Sequence, residues 1–255
     1  MIMIIKRLVT RAFESVGLSI ARYPPPHSVS RCVRDLIRDD RINLVIDVGA
    51  FHGQYCELLR GEIGYTGPIV SFVPCADSYR VLTARMAKDR NWRGFPFALS
   101  DRDGDGVLNT YPDNGNFNSL LRLREEGAVA YKVDLGKATT QSVQLRKLDT
   151  LWSEITAHIA APRAFLKIDT QGHDVAVMLG ASDHRRYIRG IQSELPAIEI
   201  YDAMPSMARA LELYGKLGYV AAGFYPINKP TGYGGLSPEF DVVLRQFHST
   251  AHGEK

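Results

Sequence analysis

The chain has 255 residues, and its 31 basic and 28 acidic side chains give a formal net charge of +3. Hydrophobic residues make up 45% of the chain and charged residues 23%, which excludes disordered and collagen-like proteins. The mild charge argues against a nucleic-acid partner, because surfaces that bind phosphate backbones concentrate basic residues. Three cysteines without a CxxC spacing argue against a disulfide scaffold or a structural zinc site and favour a reducing, cytoplasmic location.

Residues 1–40 form a predicted helical extension. Its first helix covers residues 5–20, where apolar side chains recur at helical spacing, and the prolines after Tyr23 end it. Two interpretations remain open: this helix packs on the core of the domain, or residues 1–22 lie on the inner face of a membrane. In the second case its basic side chains contact anionic head groups, and these are Lys6, Arg7 and Arg11. No apolar run reaches the length of a membrane span.

Residues 41–247 form a predicted α/β domain in which strands and helices alternate, as is typical of a doubly wound parallel sheet. The predicted strands are residues 43–48, 69–72, 92–98, 164–169, a strand within 188–200, 219–225 and 240–245. The predicted helices are residues 28–39, 53–63, 76–88, 148–158, 175–187 and 204–217. Because no helix separates the last two strands, we expect an antiparallel hairpin at one edge of the sheet. Residues 248–255 form a predicted flexible tail.

The middle of the chain, residues 101–146, departs from this alternation. Short extra strands are predicted at residues 107–111 and 143–145, and a polar stretch rich in Asn and Gly lies between them at residues 112–119. Long loops of this kind in compact domains are usually functional lids or disordered segments. The polar residues predicted to contact a ligand there are Asn114, Asn116, Asn118 and Ser119.

The segment from Val45 to Gly53 carries the sharpest local motif. A buried strand ends at Asp47, Gly49 permits a tight turn, and Gly53 begins the next helix, so backbone N–H groups can approach a ligand closely. The spacing differs from the GxGxxG of dinucleotide-binding proteins. An acid at this position repels a pyrophosphate and attracts a cationic amino-acid head group, which favours S-adenosylmethionine over a nicotinamide dinucleotide.

Six short motifs occur in a characteristic order along the chain. They are Ile46-Asp-Val-Gly-Ala50 with Gly53-Gln-Tyr55, Ser71-Phe72 with Pro74, Ala98-Leu-Ser-Asp101, Asn118-Ser-Leu-Leu121, Leu148-Asp149 and Lys167-Ile-Asp-Thr-Gln-Gly172. Together they resemble the FkbM family of S-adenosylmethionine-dependent methyltransferases, over residues 41–245. The resemblance implies a Rossmann-like class I methyltransferase fold with a seven-stranded sheet. It also implies O-methylation of a hydroxyl on a sugar, a glycolipid or a related natural product.

The resemblance assigns cofactor contacts to the ends of successive strands. The turn after the first strand would hold the methionine end of the cofactor, the end of the second strand the ribose, and the end of the third the adenine. The residues assigned in this way are Asp47, Gly49, Ala50, Phe51, His52, Gly53, Tyr55, Phe72, Pro74, Leu99, Ser100, Asp101, Ser119 and Asp169.

One position departs from the family pattern. The family usually has Phe-Glu-Pro after the second strand, where the Glu binds the ribose hydroxyls, whereas this chain has Phe72-Val73-Pro74. Losing a charge-assisted acceptor costs roughly 1.5–3 kcal/mol of binding, unless another acid such as Asp77 replaces it. Val73 therefore keeps open a catalytically weakened binding protein with a methyltransferase fold. A nicotinamide-dependent oxidoreductase is a further alternative, disfavoured by the missing GxGxxG.

Three titratable residues are the predicted catalytic groups. Asp169 ends the fourth strand, His173 follows in the turn, and Glu194 lies in the fifth strand. An alcohol acceptor must lose a proton, and His173 is the predicted general base because the ordinary pKa of histidine lies near neutrality. As an alternative, Asp169 and Glu194 share a Mg²⁺ ion that binds a sugar diol. Two carboxylates do not define a metal site, so no residue is assigned as a metal ligand.

Overall fold

The computed structural model describes residues 13, 15–16, 24–25, 27–112, 115–227 and 237–247. Most of the predicted first helix, the predicted tail at 248–255 and Asn114 lie outside these residues. Within the described part of the chain, no helix has both the length and the apolar character needed to cross a membrane.

Ten strands and seven α-helices alternate along the described residues. The helices are α1 (Val29–Asp39), α2 (Gln54–Leu58), α3 (Ala76–Met86), α4 (Glu125–Tyr131), α5 (Leu148–Thr156), α6 (Asp174–Leu179) and α7 (Met207–Lys216). The strands are β1 (Leu44–Val48), β2 (Ile69–Phe72), β3 (Trp92–Phe95), β4 (Phe97–Leu99), β5 (Gly104–Thr110), β6 (Thr139–Arg146), β7 (Ala164–Ile168), β8 (Ile188–Pro196), β9 (Tyr219–Ile227) and β10 (Glu239–Gln246).

The main sheet has seven strands in the order β3-β2-β1-β7-β8-β10-β9. Five neighbouring strands of this sheet run parallel to one another, namely β3, β2, β1, β7 and β8. Strand β10 is inserted between β8 and β9 and runs antiparallel to both. The predicted α/β fold, a mostly parallel seven-stranded sheet with an antiparallel terminal hairpin, is therefore confirmed.

Helices cover both faces of this sheet, and each face has its own apolar core. On one face, α5, α6 and α7 contribute buried side chains that include Trp152, Met178 and Tyr214. On the other face, α1, α2 and α3 contribute Leu36, Cys56 and Leu82, among others. Because β1, β2 and β7 are buried along their whole length, their sequences are almost continuously apolar. The buried charges of β1 and β7, Asp47 and Lys167, are the exceptions.

The predicted third strand divides into two strands that belong to different sheets. Strand β3 pairs with β2, whereas β4 joins a small sheet of order β4-β6-β5. Pro96 lies between the two, and a proline has no N–H with which to continue the hydrogen-bond ladder of β3. The prediction of one strand over residues 92–98 was wrong for this reason.

Two predicted helices are shorter than expected. Helix α2 ends at Leu58 and continues as a π-helical turn over Leu59–Ile63. Helix α6 ends at Leu179, and its C-cap Gly180 lies so close to the residue after β4 that a Cβ there would be 2.0 Å from the carbonyl oxygen of Ser100.

Residues 115–131, here called the roof, contain a helix that the sequence did not indicate, α4. The roof has a third apolar cluster, which it shares with the segment that follows β8. The buried members of this cluster are Tyr111, Phe117, Leu123, Ala128, Ile200, Tyr201 and Met204. Two isolated bridges, Asn109 with Ser119 and Leu123 with Tyr201, fix the roof to the rest of the domain. The polar middle segment is thus packed on the domain.

Candidate active site

A cavity of about 370 Å³ lies at the carboxyl ends of the parallel strands, beneath the roof. Open α/β sheets bind their ligands at this edge, and the volume falls within the usual range for small-molecule sites. Its lining residues are Val48, Gly49, Phe51, Phe72, Val73, Pro74, Cys75, Ser78, Phe97, Ala98, Leu99, Leu108, Gly115, Asn116, Asn118, Ser119, Leu120, Asp169, Thr170, Gln171, His173, Glu194 and Ile227.

The first wall of the cavity consists of the loops after β1 and β2 and the end of β4. At Gly49 the backbone has a φ of +80°, and a Cβ there would lie 1.8 Å from the carbonyl oxygen of Asp169. Only glycine satisfies both conditions, so the chains that leave β1 and β7 touch backbone to backbone. Phe51 also has a left-handed φ of 45°, and its ring stacks on His52 with the centroids 3.7 Å apart.

Val73 lies in this wall, and among the described residues no acid lines it in place of the one that the family pattern predicts there. The Val73 side chain is buried in the core of α1, α2 and α3 while lining the cavity. Asp77 does not line the cavity: its side chain is 89% exposed and forms an ion pair with Arg80. The possibility that Asp77 takes the place of the missing acid is therefore wrong for this structure. The polar side chain that α3 does place in the cavity wall is the buried hydroxyl of Ser78.

Asp47 lies below the first wall and is completely buried. Its carboxylate is 3.9 Å from the Lys167 ammonium and accepts a hydrogen bond from Ser71 at 3.4 Å. The Ser71 hydroxyl in turn accepts one from the Trp92 indole at 2.9 Å. Burial raises the pKa of Asp47 to about 6, although the Lys167 charge opposes this. Among the described residues Asp47 Oδ1 has no hydrogen-bond partner, which leaves a buried acceptor beneath the Gly49 turn.

The second wall consists of the loop after β7 and the end of β8, and it carries two carboxyl groups. The amide nitrogen of Gln171 donates to Asp169 Oδ1 at 3.0 Å and to Glu194 Oε2 at 2.8 Å. The Lys167 ammonium donates to the other Asp169 oxygen at 2.9 Å. A single carboxamide thus joins the two carboxyl groups.

The two carboxyl groups of the second wall titrate in opposite directions. Burial alone would raise the pKa of Asp169, but the Lys167 charge and the hydrogen bonds to the carboxylate outweigh it and lower the pKa to about 2. Burial and the negative charges of Asp169 and Glu239 raise the pKa of Glu194 well above its ordinary value. The pair therefore favours the anion on Asp169 and the proton on Glu194.

His173, the predicted general base, lies between the two walls. Its Nε2 is 3.0 Å from the Ser100 hydroxyl, which also contacts Asp101 at 3.1 Å. Burial lowers the pKa of His173, although the Asp101 charge opposes this. The imidazole is therefore neutral at pH 7 and bound to the end of β4, whereas Asp169 and Glu194 are joined to each other through Gln171.

The predicted site residues fall into two groups. Those that line the cavity are Gly49, Phe51, Phe72, Pro74, Leu99, Ser119, Asp169, His173 and Glu194. Those outside the lining are Asp47, Ala50, His52, Gly53, Tyr55, Ser100 and Asp101. The Tyr55 hydroxyl donates to Gln192 at 2.9 Å, and its ring lies over the Lys167 ammonium.

Two residues that hold the second wall had no predicted catalytic or cofactor role. Gln171 lies inside the recognised Lys167–Gly172 motif, so its place beside Asp169 was a usable signal. Tyr201 is one of the aromatic residues near the later strand ends that the sequence offers for stacking on a sugar ring or for packing in the core; it is fully buried outside the cavity lining, and its hydroxyl donates to Gln171 Oε1 at 2.8 Å.

The structure gives the predicted Mg²⁺ no support. Within the described part of the chain, no group of three or more His, Cys, Asp or Glu side chains could hold a metal ion. Between Asp169 and Glu194 lies the N–H donor of Gln171, a neutral group that already satisfies both carboxyl groups. The expectation that these two residues share a cation is therefore not supported.

Comparisons with known proteins identify the family. The model of the methyltransferase FkbM domain matches residues 47–221 of the 255. No curated protein matches the chain significantly. Among solved structures, the methyltransferase FkbM from Methylobacillus flagellatus KT is 14% identical, with a TM-score of 0.46 over 81% of this chain. The match covers 44% of that protein, so the chain spans less than half of its length.

Two further structures resemble the chain at lower identity. Fibrillarin from Aeropyrum pernix, natively bound to S-adenosyl-L-methionine, is 10% identical with a TM-score of 0.46 over 79% of this chain and 66% of its own. Magnesium protoporphyrin IX methyltransferase from Synechocystis PCC 6803 is 8% identical with a TM-score of 0.46, covering 86% of this chain and 78% of its own. Because the family model matches more than half of the chain, the protein belongs to the FkbM methyltransferase family.

Proposed function

We propose that the protein is an S-adenosylmethionine-dependent O-methyltransferase that acts on a hydroxyl of a sugar, a glycolipid or a related natural product. The observation that carries the proposal is the charge of the cavity. Its described lining contains two carboxyl groups, Asp169 and Glu194, and neither lysine nor arginine. A nicotinamide dinucleotide would bring its pyrophosphate against the ionised Asp169, and Lys167, the cation beside that carboxylate, already pairs with it and does not line the cavity. A sulfonium cofactor brings positive charge instead.

The first wall fits the methionine end of that cofactor. The Gly49 turn lets backbone N–H groups approach a ligand. The buried Asp47 below it does not line the cavity, and its Oδ1 lies 3.9 Å from the Lys167 ammonium, so its charge favours the cofactor ammonium from beneath the turn rather than by direct contact. When bound, S-adenosylmethionine supplies a methyl group activated as a sulfonium.

The second wall fits an acceptor that is not an anion. The Asp169 carboxylate is ionised, lines the cavity and has 37% of its side chain exposed, so it can accept a hydrogen bond from an acceptor hydroxyl. The neutral imidazole of His173, which also lines the cavity, can take the proton that this hydroxyl loses. Asn116, Asn118 and Ser119 of the roof supply neutral hydrogen-bonding groups. A phosphate or carboxylate on the acceptor near Asp169 would be repelled. We therefore expect neutral polyols to be better acceptors than sugars that carry a negative charge.

Calorimetric titration tests the cofactor part of this proposal. We expect S-adenosylmethionine and S-adenosylhomocysteine to bind and NAD not to bind, with the same affinities in Mg²⁺ and in EDTA. Binding of NAD alone would overturn the proposal and revive the oxidoreductase alternative. No binding of either sulfur compound would support the weakened relative that Val73 suggests.

We also propose that residues 1–22 attach the enzyme to the inner face of a membrane that carries its acceptor. Phe13 and Val16, which are described, expose 42% and 69% of their surface, as expected for apolar side chains that face lipid. Co-sedimentation with vesicles containing one-third anionic lipid tests this proposal. We expect the full chain to sediment and the chain without residues 1–22 to stay in solution while binding S-adenosylhomocysteine normally. Equal sedimentation of the two would overturn it.

A further inference from the structure

Gln171, in the loop after β7, has an uncommon backbone conformation. Its φ is 55°, in the left-handed region where residues with a side chain are uncommon, and Gly172 beside it already provides a flexible position with a φ of 94°. Strain of this kind persists when the surrounding structure holds it, and it is concentrated at functional sites. Asn and Gly occupy the left-handed region more readily, so the choice of Gln needs a reason in its side chain.

The side chain of Gln171 is held at both ends. Its Oε1 accepts a hydrogen bond from the Tyr201 hydroxyl at 2.8 Å, which fixes which end of the carboxamide carries the nitrogen. The nitrogen then donates to Asp169 and to Glu194. Tyr201 is fully buried, and its hydroxyl oxygen also lies 3.2 Å from the carbonyl oxygen of Phe117, a second and more distant acceptor for the same proton. The roof, Tyr201, Gln171 and the two carboxyl groups thus form one chain of hydrogen bonds.

A second contact ties the same loop to the roof. The Ser119 hydroxyl donates to the carbonyl oxygen of Gln171 at 2.7 Å and accepts from the N–H of Leu121 at 3.0 Å. The main chain and the side chain of Gln171 therefore both form hydrogen bonds with residues outside their own loop. A shorter side chain at this position would reach Tyr201 or the carboxyl groups, but not both.

We propose that Gln171 is a positioning residue that, held by Tyr201, fixes Asp169 as the anion and Glu194 as the acid of the second wall. The role rests on the proposed function, because it prepares Asp169 to accept a hydrogen bond from the acceptor hydroxyl. The Lys167 charge on β7 also favours the anion on Asp169, and the Gln171 hydrogen bond adds to it. The other charged groups that face the pair are Asp47 on β1, Asp174 on α6, and Glu239 and Asp241 on β10.

Carbon-13 NMR titration of the Asp and Glu carboxyl groups tests this role without an acceptor or a cofactor. The signals of the pair are assigned with Asp169→Asn and Glu194→Gln. In Gln171→Asn, which tolerates the left-handed backbone but is one methylene shorter, we expect the midpoint of Asp169 to rise by about one pH unit or more. In Tyr201→Phe we expect a smaller rise, because the carboxamide keeps its donors but loses the contact that orients it.

Gln192→Met is the matched control. Gln192 is a buried amide on β8 that contacts Tyr55 and Asp241 but neither carboxyl group of the pair, so its loss should move the Asp169 midpoint far less than Gln171→Asn does. An Asp169 midpoint in Gln171→Asn equal to that of the native protein would overturn the proposal. So would an equal rise in Gln192→Met, because any lost amide would then have the same effect. If the native protein binds no S-adenosylhomocysteine while Gln171→Asn still shifts Asp169, the proposed function fails and the positioning role stands.

Discussion

The first wall of the cavity contributes backbone and apolar side chains, whereas the second wall contributes two carboxyl groups and the carboxamide between them. Gly49 holds the first wall in place by its lack of a side chain, and Gln171 holds the second by the reach of its side chain. A wall made of backbone tolerates little substitution and suits a part that must bind the same ligand in every relative. A wall made of side chains can be re-shaped by single substitutions, which suits selection of an acceptor.

The largest expected effect on stability is that of a substitution where the two walls touch. In Gly49→Ala a methyl group would meet the Asp169 carbonyl, and we expect a loss of roughly 4 kcal/mol in the free energy of unfolding, from overpacking and left-handed strain together. Gly64→Ala is the matched control, since Gly64 has a φ of +77° and nothing within 4 Å of an added Cβ. Urea denaturation of both variants measures the difference. Equal losses would show that the walls do not touch as described.

The buried acid below the first wall should give a pH-dependent stability. The folded-state pKa of Asp47 is raised from 3.8 to about 6, so its contribution is fully present below pH 3.8 and is lost as the pH rises to about 6. Because Asp47→Asn has no ionisable group at this position, the variant does not lose this stability as the pH rises. Relative to the native protein, we expect the variant to gain up to about 3 kcal/mol between pH 4 and pH 7. Parallel stability profiles over this range would contradict the burial of an ionisable Asp47.

A carboxylate restored to the first wall should strengthen cofactor binding. In Val73→Glu we expect the Kd of S-adenosylhomocysteine to fall tenfold to a hundredfold, or roughly 1.5–3 kcal/mol, because a charge-assisted acceptor faces the ribose hydroxyls. Val73→Gln, which has the same length without the charge, should give a smaller gain. Calorimetry that finds no gain in Val73→Glu would show that the wall binds the cofactor without an acid at this position.

The smallest expected effect is at the junction of the second wall with the roof. Ser119→Ala removes one hydrogen bond to the Gln171 carbonyl and leaves the Leu121 N–H without its acceptor. We expect a loss of about 1 kcal/mol in stability, measured by thermal unfolding. A loss as large as that of Gly49→Ala would mean that the roof, rather than the contact of the strands, holds the cavity together.

Gly49 of the first wall and the carboxyl groups of the second were predicted from the sequence to belong to the site, whereas the contacts that hold the second wall were not. Asp47, Gly49 and Gly53 lie within one strand and turn, where spacing alone determines the backbone. The contact between Gln171 and Tyr201 joins two loops through a side chain, and the helix α4 that supports the roof lies in a segment of unremarkable polarity. The break at Pro96 was partly predictable. The sequence shows that Pro96 has no N–H to continue a strand, but it does not show that β4 then pairs with β6 in a second sheet.

Trp92 gives the first wall an optical reporter. Its indole N–H donates to Ser71, and Ser71 donates to Asp47, so the protonation of the buried acid lies two hydrogen bonds from a fluorophore. The other tryptophan, Trp152, stacks on His184 at the opposite face of the sheet. In a Trp152→Phe protein the remaining emission comes from Trp92 alone. Its wavelength and intensity then follow the charge below the Gly49 turn, with no label and no knowledge of the acceptor.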